Sequence, residues 1–247
     1  MKIRTFEEEL ERIRPTIRRL TTLFLLGKKV VVKGKENFVE TGPSIIVGNH
    51  IGTFKDIAVL FKIVPRPIFF SANEMIFAKD KFEFLIKKHF KRHLKQFGLF
   101  LDLILAPLKA PFVRFITTNI AKVGAIPVDF SSGYQGKRAV LRKWEEYLLK
   151  GKAIVILQGR GRVMKKDPNP YVDSFKKGVS IIASHLFKEG ISVPVTPVAL
   201  LGTQIPWLMP GKIKINVGQP IYPTGAVEDF RNVLEQRTKT LLIELLK

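Results

Sequence analysis

The sequence contains no cysteine, and this absence excludes disulfide bonds, thiolate metal sites and a cysteine nucleophile. Histidine is also scarce, with only His50, His89, His93 and His185. No serine lies in the G-x-S-x-G pattern that marks the nucleophile of many hydrolases. A hydroxyl group of the substrate itself is therefore the expected nucleophile of any group-transfer reaction.

Acidic residues are few relative to basic ones. The chain has 21 Asp and Glu against 42 Lys and Arg, which gives a net charge of +21 and an isoelectric point near 10.2. Such an excess predicts an anionic partner: nucleic acid, anionic lipid head groups or a phosphorylated substrate. Charge alone does not choose among them, and a solvated basic surface is the plain alternative.

Long apolar runs are also missing. No stretch reaches roughly 18 uncharged apolar residues, so we expect no transmembrane helix. In residues 79–122 a basic, helix-like stretch leads into the apolar run 97–108, which as a helix is too short to cross a bilayer. This order is typical of a segment in the membrane interface, with an ordinary buried helix as the alternative. Residues 5–26 predict an amphipathic helix, either a membrane anchor or a helix docked on its own domain.

Short β-like runs alternate with helical stretches along the rest of the chain. Strands are predicted at 28–34, 44–48, 67–72, 124–129, 153–158, 192–200 and 212–217, and helices at 54–63, 134–150, 174–189 and 226–246. This alternation predicts an α/β fold with a single mixed sheet flanked by helices. We expect a helical N-terminal arm at 1–27, which associates with membranes, and one domain at 28–247.

His50 and Asp56 are the first candidate catalytic residues. The apolar run S-I-I-V-G ends at Asn49-His50, so the histidine falls at the carboxyl end of a strand, where α/β sheets place their chemistry. Histidine can remove a proton from an alcohol, and a carboxylate bonded to its other ring nitrogen fixes the tautomer. Asp56 would lie in the first turn of the next helix, beyond a turn suited by Gly52 and Thr53. On spacing alone this pair is a weak signal.

The surroundings of this pair resemble the glycerolipid acyltransferase family, the 1-acylglycerol-3-phosphate acyltransferases. That family carries an N-H-x4-D signature after a strand and further motifs in a set order. The matching segments here are 30–50 with Asn49-His50, G-A-I-P-V-D at 124–129, I-L-Q-G-R at 156–160, F-K-K-G at 175–178 and V-P-V-T-P-V at 193–198. Each segment alone is unspecific, but their common order over residues 28–220 makes the resemblance specific.

The resemblance implies a glycerol-phosphate acyltransferase-like fold and transfer of a fatty acyl group from acyl-CoA or acyl carrier protein to a lysolipid hydroxyl. His50 would be the general base and Asp56 its partner, and neither a cofactor nor a metal ion is expected. The residues expected to bind substrate are Asn49, Thr53, Gln158, Gly159, Arg160 and Arg162. The implied setting is the cytoplasmic face of the cell membrane, with peripheral or monotopic attachment to an anionic surface.

Several positions depart from the family pattern. Five residues rather than four separate His50 from Asp56, so the turn between them must hold one extra residue. Asn73 and Phe130 stand where the family has the lysine and arginine tied to the phosphate of the acceptor, and Gln158 replaces a glutamate. Each lost cation removes a charge-assisted hydrogen bond of about 1.5–3 kcal/mol.

These departures leave two acceptor classes open. Arg160 and Arg162 could bind the phosphate of a lysophosphatidate in place of the missing cations, and we favour this interpretation. A different lysolipid or a lipid alcohol without a phosphomonoester is the alternative. Acyl chain length, donor type and oligomeric state stay open.

Two other classes of protein compete with an enzyme. A nucleic-acid-binding protein would interleave aromatic and basic residues on its recognition surface. Here the basic residues flank apolar segments, which favours lipid contact, so we expect no nucleic-acid partner. A catalytically inactive, lipid-binding relative is the second alternative, and the altered motif at 156–160 is its motivation.

Overall fold

The structure is a computed structural model that describes residues 6–52, 54–87, 106–128, 133–158, 172–205 and 209–247. Seven strands are present in this part of the chain. They are β1 (Lys28–Lys33), β2 (Ser44–Asn49), β3 (Ile68–Asn73), β4 (Ala125–Val128), β5 (Ala153–Gln158), β6 (Val195–Leu201) and β7 (Gly211–Val217). All seven predicted strands are therefore confirmed, with boundaries that differ by at most three residues.

Six helices have bounds within the described residues. They are α1 (Phe6–Phe24), α2 (Phe54–Ile63), α3 (Ala106–Asn119), α4 (Gly133–Leu149), α5 (Gly178–Lys188) and α6 (Val227–Leu246). Residues 79–87 are also helical, and residues 35–37 and 74–77 form short 3-10 turns. No helix among the described residues is long and apolar enough to span a bilayer.

The strands form one mixed sheet in the order β1-β7-β6-β2-β5-β3-β4. Strand β2 runs parallel to β5 and to β6, and β3 runs parallel to β5, whereas β7 is antiparallel to β6. The register of β2 and β5 pairs Ser44 with Ala153 and Asn49 with Gln158, so the two strands end at the same level. The predicted single mixed sheet of an α/β fold is confirmed.

The central strands are apolar because both of their faces are covered. All six residues of β2 are buried, and so are five of the six in β5, which suits parallel strands between helical layers. Edge strand β1 instead alternates half-buried and exposed residues. Helix α6 packs against β6 and β7, and its apolar residues Phe230, Leu234 and Leu242 are buried.

Contacts divide the chain into two compact units. One comprises Met1–Ile13 and Ser71–Val140, and the other comprises Arg14–Phe70 and Leu141–Lys247. In the first, α3 and β4 both contact the turn at residues 74–77. The second carries the ends of β2, β5 and β6, where the candidate site lies. The predicted division into an arm at 1–27 and a domain at 28–247 stays a prediction.

One predicted helix differs from the structure. The helix predicted at 174–189 begins at Gly178. In the segment before it, the backbone N–H groups of Phe175 and Lys176 donate to side chains distant in sequence, Glu235 and Gln158. Most of the predicted interfacial run 97–108 lies outside the described residues, and α3 begins at Ala106.

Candidate active site

Asn49 determines where β2 ends. Its side-chain Nδ2 donates to the carbonyl oxygen of Leu200 at 2.8 Å, and its Oδ1 accepts from the N–H of Leu200 at 2.7 Å. The paired backbone register of β2 and β6 ends at Gly48 and Val198, so this amide side chain continues the pairing in place of the backbone. Asn49 is fully buried, and the next residue, His50, leaves the sheet. Asn49 thus has a structural role in joining β2 to β6, and its predicted role in substrate binding stays a prediction.

His50 and Asp56 form a hydrogen-bonded pair beyond the end of β2. Nδ1 of His50 lies 2.7 Å from Oδ2 of Asp56, and the same oxygen accepts the N–H of Gly52 at 2.8 Å. The carboxylate is fully buried, whereas 30% of the histidine side chain is exposed. A carboxylate can only accept a hydrogen bond, so Nδ1 must carry the proton and Nε2 is left with the lone pair. The arrangement can accept a proton from a substrate hydroxyl.

The turn between His50 and Asp56 accommodates the extra residue through Gly52. Helix α2 begins at Phe54, and the N–H of Lys55 donates to the carbonyl of Gly52 at 3.1 Å. Asp56 therefore lies in the first helical turn, where the helix dipole favours a negative charge. The spacing of five residues thus brings the two side chains together as the sequence predicted. Thr53 lies outside the described residues.

Gly52 is required because another loop packs directly against it. A Cβ atom built on Gly52 would lie 2.3 Å from Cβ of Thr203 and 2.5 Å from its Oγ1. Thr203 belongs to the loop that follows β6 and is itself fully buried. No sequence signal connects residues 52 and 203, because only the neighbouring positions of β2 and β6 in the sheet bring them together.

Gln158 ends β5 directly opposite Asn49 and is buried. Its Oε1 accepts the N–H of Lys176, which holds the F-K-K-G segment against the end of β5. The amide oxygen is therefore occupied, and the predicted contact with substrate stays a prediction. Three further predicted binding residues, Gly159, Arg160 and Arg162, lie outside the described residues.

Asn73 and Phe130 are the neutral residues at the two positions where the family has phosphate-binding cations. Oδ1 of Asn73 accepts the N–H of Met75 at 2.9 Å, so this side chain caps the short turn at residues 74–77. Phe130 lies outside the described residues. The structure therefore gives Asn73 a local role that a lysine side chain, which has no acceptor, could not fill.

Lys55 is a residue of the site that the sequence analysis missed. It is 6% exposed, and its Nζ donates to the carbonyl oxygen of Ile205 in the loop after β6. Burial lowers the pKa of Lys55, the positive charge of Lys28 lowers it further, and the negative charge of Asp56 opposes both. A lysine inside the first turn of a helix gave no signal in the sequence, because lysines at such positions are ordinarily solvated.

Exposed apolar side chains lie on the same compact unit near the N-terminus of α2. Phe54 is 51% exposed, and its ring lies 4.9 Å from that of Phe24 at the end of α1. Leu23, Leu26 and Met209 are also exposed, and Gly27 lies close to the backbone of Met209. Together these residues form an apolar surface, and one of them, Phe54, is only four residues after His50 in the chain.

One group of side chains in the described residues could hold a metal ion. The ligand atoms of Glu145, His185 and Glu189 lie within 4.8 Å of one another. Nε2 of His185 is 3.3 Å from Glu145 and 3.4 Å from Glu189, which are ordinary distances for exposed ion pairs. The geometry is satisfied without an ion.

No family model matches the sequence. No curated protein matches it either. A solved structure does: the 1-acyl-sn-glycerophosphate (LPA) acyltransferase, PlsC, from Thermotoga maritima. The two chains are 22% identical, the match covers 98% of this chain and 83% of the other, and the TM-score is 0.58. This likeness shows that the two proteins share their fold.

Proposed function

We propose that this protein is an O-acyltransferase that moves a fatty acyl group from acyl-CoA or acyl carrier protein to a hydroxyl group of a lysophospholipid. The favoured acceptor is 1-acylglycerol-3-phosphate, which would yield phosphatidate. The observation that carries the proposal is the pair of His50 with the buried Asp56 at the carboxyl end of β2. The fold shared with a solved acyltransferase and the ordered motifs of the sequence support it.

The geometry of the pair supports direct acyl transfer. Nε2 of His50 would accept the proton of the acceptor hydroxyl while that oxygen attacks the thioester carbonyl. Collapse of the tetrahedral intermediate would break the C–S bond, form the ester and return the proton to the departing thiolate. Asp56 would hold the imidazole by Nδ1 and stabilise the imidazolium. A thioester co-substrate supplies the activated acyl group, so the proposal requires neither a cofactor nor a metal ion.

We further propose that the acceptor is presented at an anionic membrane surface. The apolar side chains near the N-terminus of α2 are exposed beside Lys28 and Lys29. Apolar residues rimmed by cations suit binding to the interface of an anionic bilayer. This surface supports peripheral or monotopic attachment. The proposed location is the cytoplasmic face of the cell membrane, with the N-terminal arm as a second contact.

The test of the reaction is an acceptor and donor panel. Purified protein is mixed with anionic liposomes, each lysolipid or lipid alcohol, and either acyl-CoA or acyl carrier protein thioesters, and products are identified by mass spectrometry. We expect an ester product that His50→Ala abolishes, whereas His185→Ala, on the exposed face of α5, retains it. A product that persists in His50→Ala, or no product with any pair, would reject the proposal. In the second case liposome binding would favour the inactive, lipid-binding relative.

The acceptor class is tested separately. Arg160→Ala and Arg162→Ala should raise the KM for lysophosphatidate about tenfold or more, as expected for losing a charge-assisted hydrogen bond. The KM for the acyl donor should change less. An unchanged acceptor KM in both variants would favour the alternative acceptors, a lysolipid or lipid alcohol without a phosphomonoester. The neutral side chains of Asn73 and Gln158 are the observation behind that alternative.

A further inference from the structure

A buried lysine precedes the proposed catalytic carboxylate in the chain, and its side chain reaches the loop after β6. Lys55 is 6% exposed, and its Nζ is bonded to the carbonyl oxygen of Ile205. The position is unfavourable in two respects, since burial disfavours the ammonium charge and the first turn of a helix disfavours a cation. Because burial and the helix dipole both disfavour a charged lysine here, we expect Lys55 to have a role other than packing.

Lys55 fastens the loop that packs on the turn between His50 and Asp56. In that loop the N–H of Ile205 donates to the carbonyl of Gly202 at 3.2 Å, so residues 202–205 form a closed turn. Thr203 in the middle of this turn is pressed against Gly52. The ammonium group of Lys55 therefore holds the segment that carries Thr203.

The backbone of this turn is tightly restricted at Gly202. Its φ of +93° is a conformation that side chains rarely adopt, and an added Cβ would lie 2.0 Å from the carbonyl oxygen of Lys212. The N–H of Gly202 also donates to Oε1 of Gln204 at 2.8 Å. The turn is thus constrained by β7 on one side and by Lys55 on the other.

The far end of the same loop has a matching lysine. Nζ of Lys28, at the start of β1, donates to the carbonyl oxygen of Met209. The N–H of Gly211 donates to the carbonyl of Gly27 at 3.1 Å, which fixes the start of β7 beside β1. Two lysines thus bind backbone carbonyls on either side of residues 206–208.

The contacts form a short path to the catalytic pair. Lys55 holds Ile205, the turn holds Thr203 against Gly52, and the N–H of Gly52 donates to the same oxygen of Asp56 that bonds His50. A shift of Gly52 would therefore move the acceptor that orients the imidazole. The backbone N–H of Lys55 bonds Gly52 as well, so one residue restrains this turn twice.

We propose that Lys55 is a positioning residue for the His50–Asp56 pair, acting through the loop at residues 202–205. The lysine does not touch the reacting atoms. It keeps Thr203 seated on Gly52, and Gly52 keeps Oδ2 of Asp56 in line with Nδ1 of His50. The inference rests on the proposed function only for its kinetic consequence, because the geometry of the pair can be observed without catalysis.

The test compares Lys55→Met, Lys55→Arg and the control Lys62→Met, which lies on the same helix with an exposed side chain. The first readout is the downfield Nδ1–H proton resonance of His50 in the full-length protein, identified by its loss in His50→Ala. We expect this resonance to broaden or disappear in Lys55→Met and to persist in the other two variants. Its absence from the unmodified protein would contradict the pair itself.

The second readout is kinetic. In Lys55→Met we expect kcat to fall about tenfold, equivalent to about 1.4 kcal/mol, with the acceptor KM changed less than twofold. Lys55→Arg retains a cationic donor for the carbonyl of Ile205, so its kcat should recover at least half of the rate lost in Lys55→Met. The melting temperature of Lys55→Met should change little, because the lost hydrogen bond to Ile205 is offset by the removal of a desolvated charge. An unchanged resonance and an unchanged kcat in Lys55→Met would overturn the proposal.

Thr203→Ala provides a second, independent perturbation should Lys55→Met fail to fold. It removes Oγ1, one of the Thr203 atoms that lie against Gly52, which loosens this contact, so the same resonance should broaden. An unaltered resonance in that variant would equally refute the path. If the resonance responds as expected but no variant transfers acyl groups, the positioning role stands and the proposed function fails.

Discussion

Asp56→Asn tests how the buried carboxylate serves His50. In the structure one oxygen, Oδ2, takes the hydrogen bonds of both Gly52 and His50, while Oδ1 is buried without a partner among the described residues. In Asp56→Asn the amide oxygen should occupy the Oδ2 position, because an NH2 group there would face the N–H of Gly52. The histidine tautomer is then preserved, and the change removes mainly the negative charge.

The expected loss of rate follows from that charge. Two unit charges about 4 Å apart interact by about 4 kcal/mol at an effective dielectric constant of about 20. If roughly half of the positive charge has developed on the imidazole in the transition state, about 2 kcal/mol is lost, which is about thirtyfold. The 30% exposure of the His50 side chain lets water screen part of this. We therefore expect kcat to fall about ten- to thirtyfold.

The assay is initial-rate acyl transfer to liposome-borne acceptor, with His50→Ala measured in parallel. Removing the base altogether should cost about a hundredfold or more. The introduced NH2 group would be a buried donor without an acceptor, so the free energy of unfolding should also fall, by about 1–3 kcal/mol. A loss in Asp56→Asn as large as in His50→Ala would show that the tautomer is not preserved. A loss below threefold would show that the carboxylate charge does not assist the reaction.

Three further predictions concern the surroundings of the site. Gly52→Ala should lower the free energy of unfolding by about 1–3 kcal/mol through its clash with Thr203; an unchanged melting temperature would contradict this contact. Glu235→Gln should cost a similar amount, because this buried carboxylate accepts from Phe175 at 2.9 Å and from Lys239 at 3.0 Å; the exposed Glu228→Gln is the control. The hydrogen bond from Asn216, followed by that from Lys33, lowers the pKa of Glu244 from its ordinary value of 4.5. The stabilisation by the Glu244 carboxylate is therefore present above pH 4.5 and is lost as the pH falls through the lowered pKa. In denaturant unfolding at pH 7, Glu244→Gln should have a free energy of unfolding lower than that of the unmodified protein by less than about 1 kcal/mol, and this difference should disappear in acid.

Much of the fold follows from local patterns in the sequence. Apolar runs such as 44–48 and 153–158 are long enough for strands and too short for ordinary helices, and both are strands in the structure. Their order along the chain does not give their order in the sheet, because β6 and β5 reach the two sides of β2 from more than 100 residues away. The segment before α5 depends on contacts of the same long range, because Gln158 and Glu235 accept the N–H groups of Lys176 and Phe175.

The sequence by itself determined the chemistry available to the site: no thiol, a histidine after a buried strand, and a carboxylate within one turn of the next helix. His50 and Asp56 are near neighbours in the chain, with five residues between them, and their side chains lie 2.7 Å apart. The tertiary structure alone decided what holds them. Asn49 is bonded to Leu200, and Gly52 and Lys55 meet the loop after β6, all across some 150 residues. Such contacts depend on which strands become neighbours, and no local pattern encodes that choice.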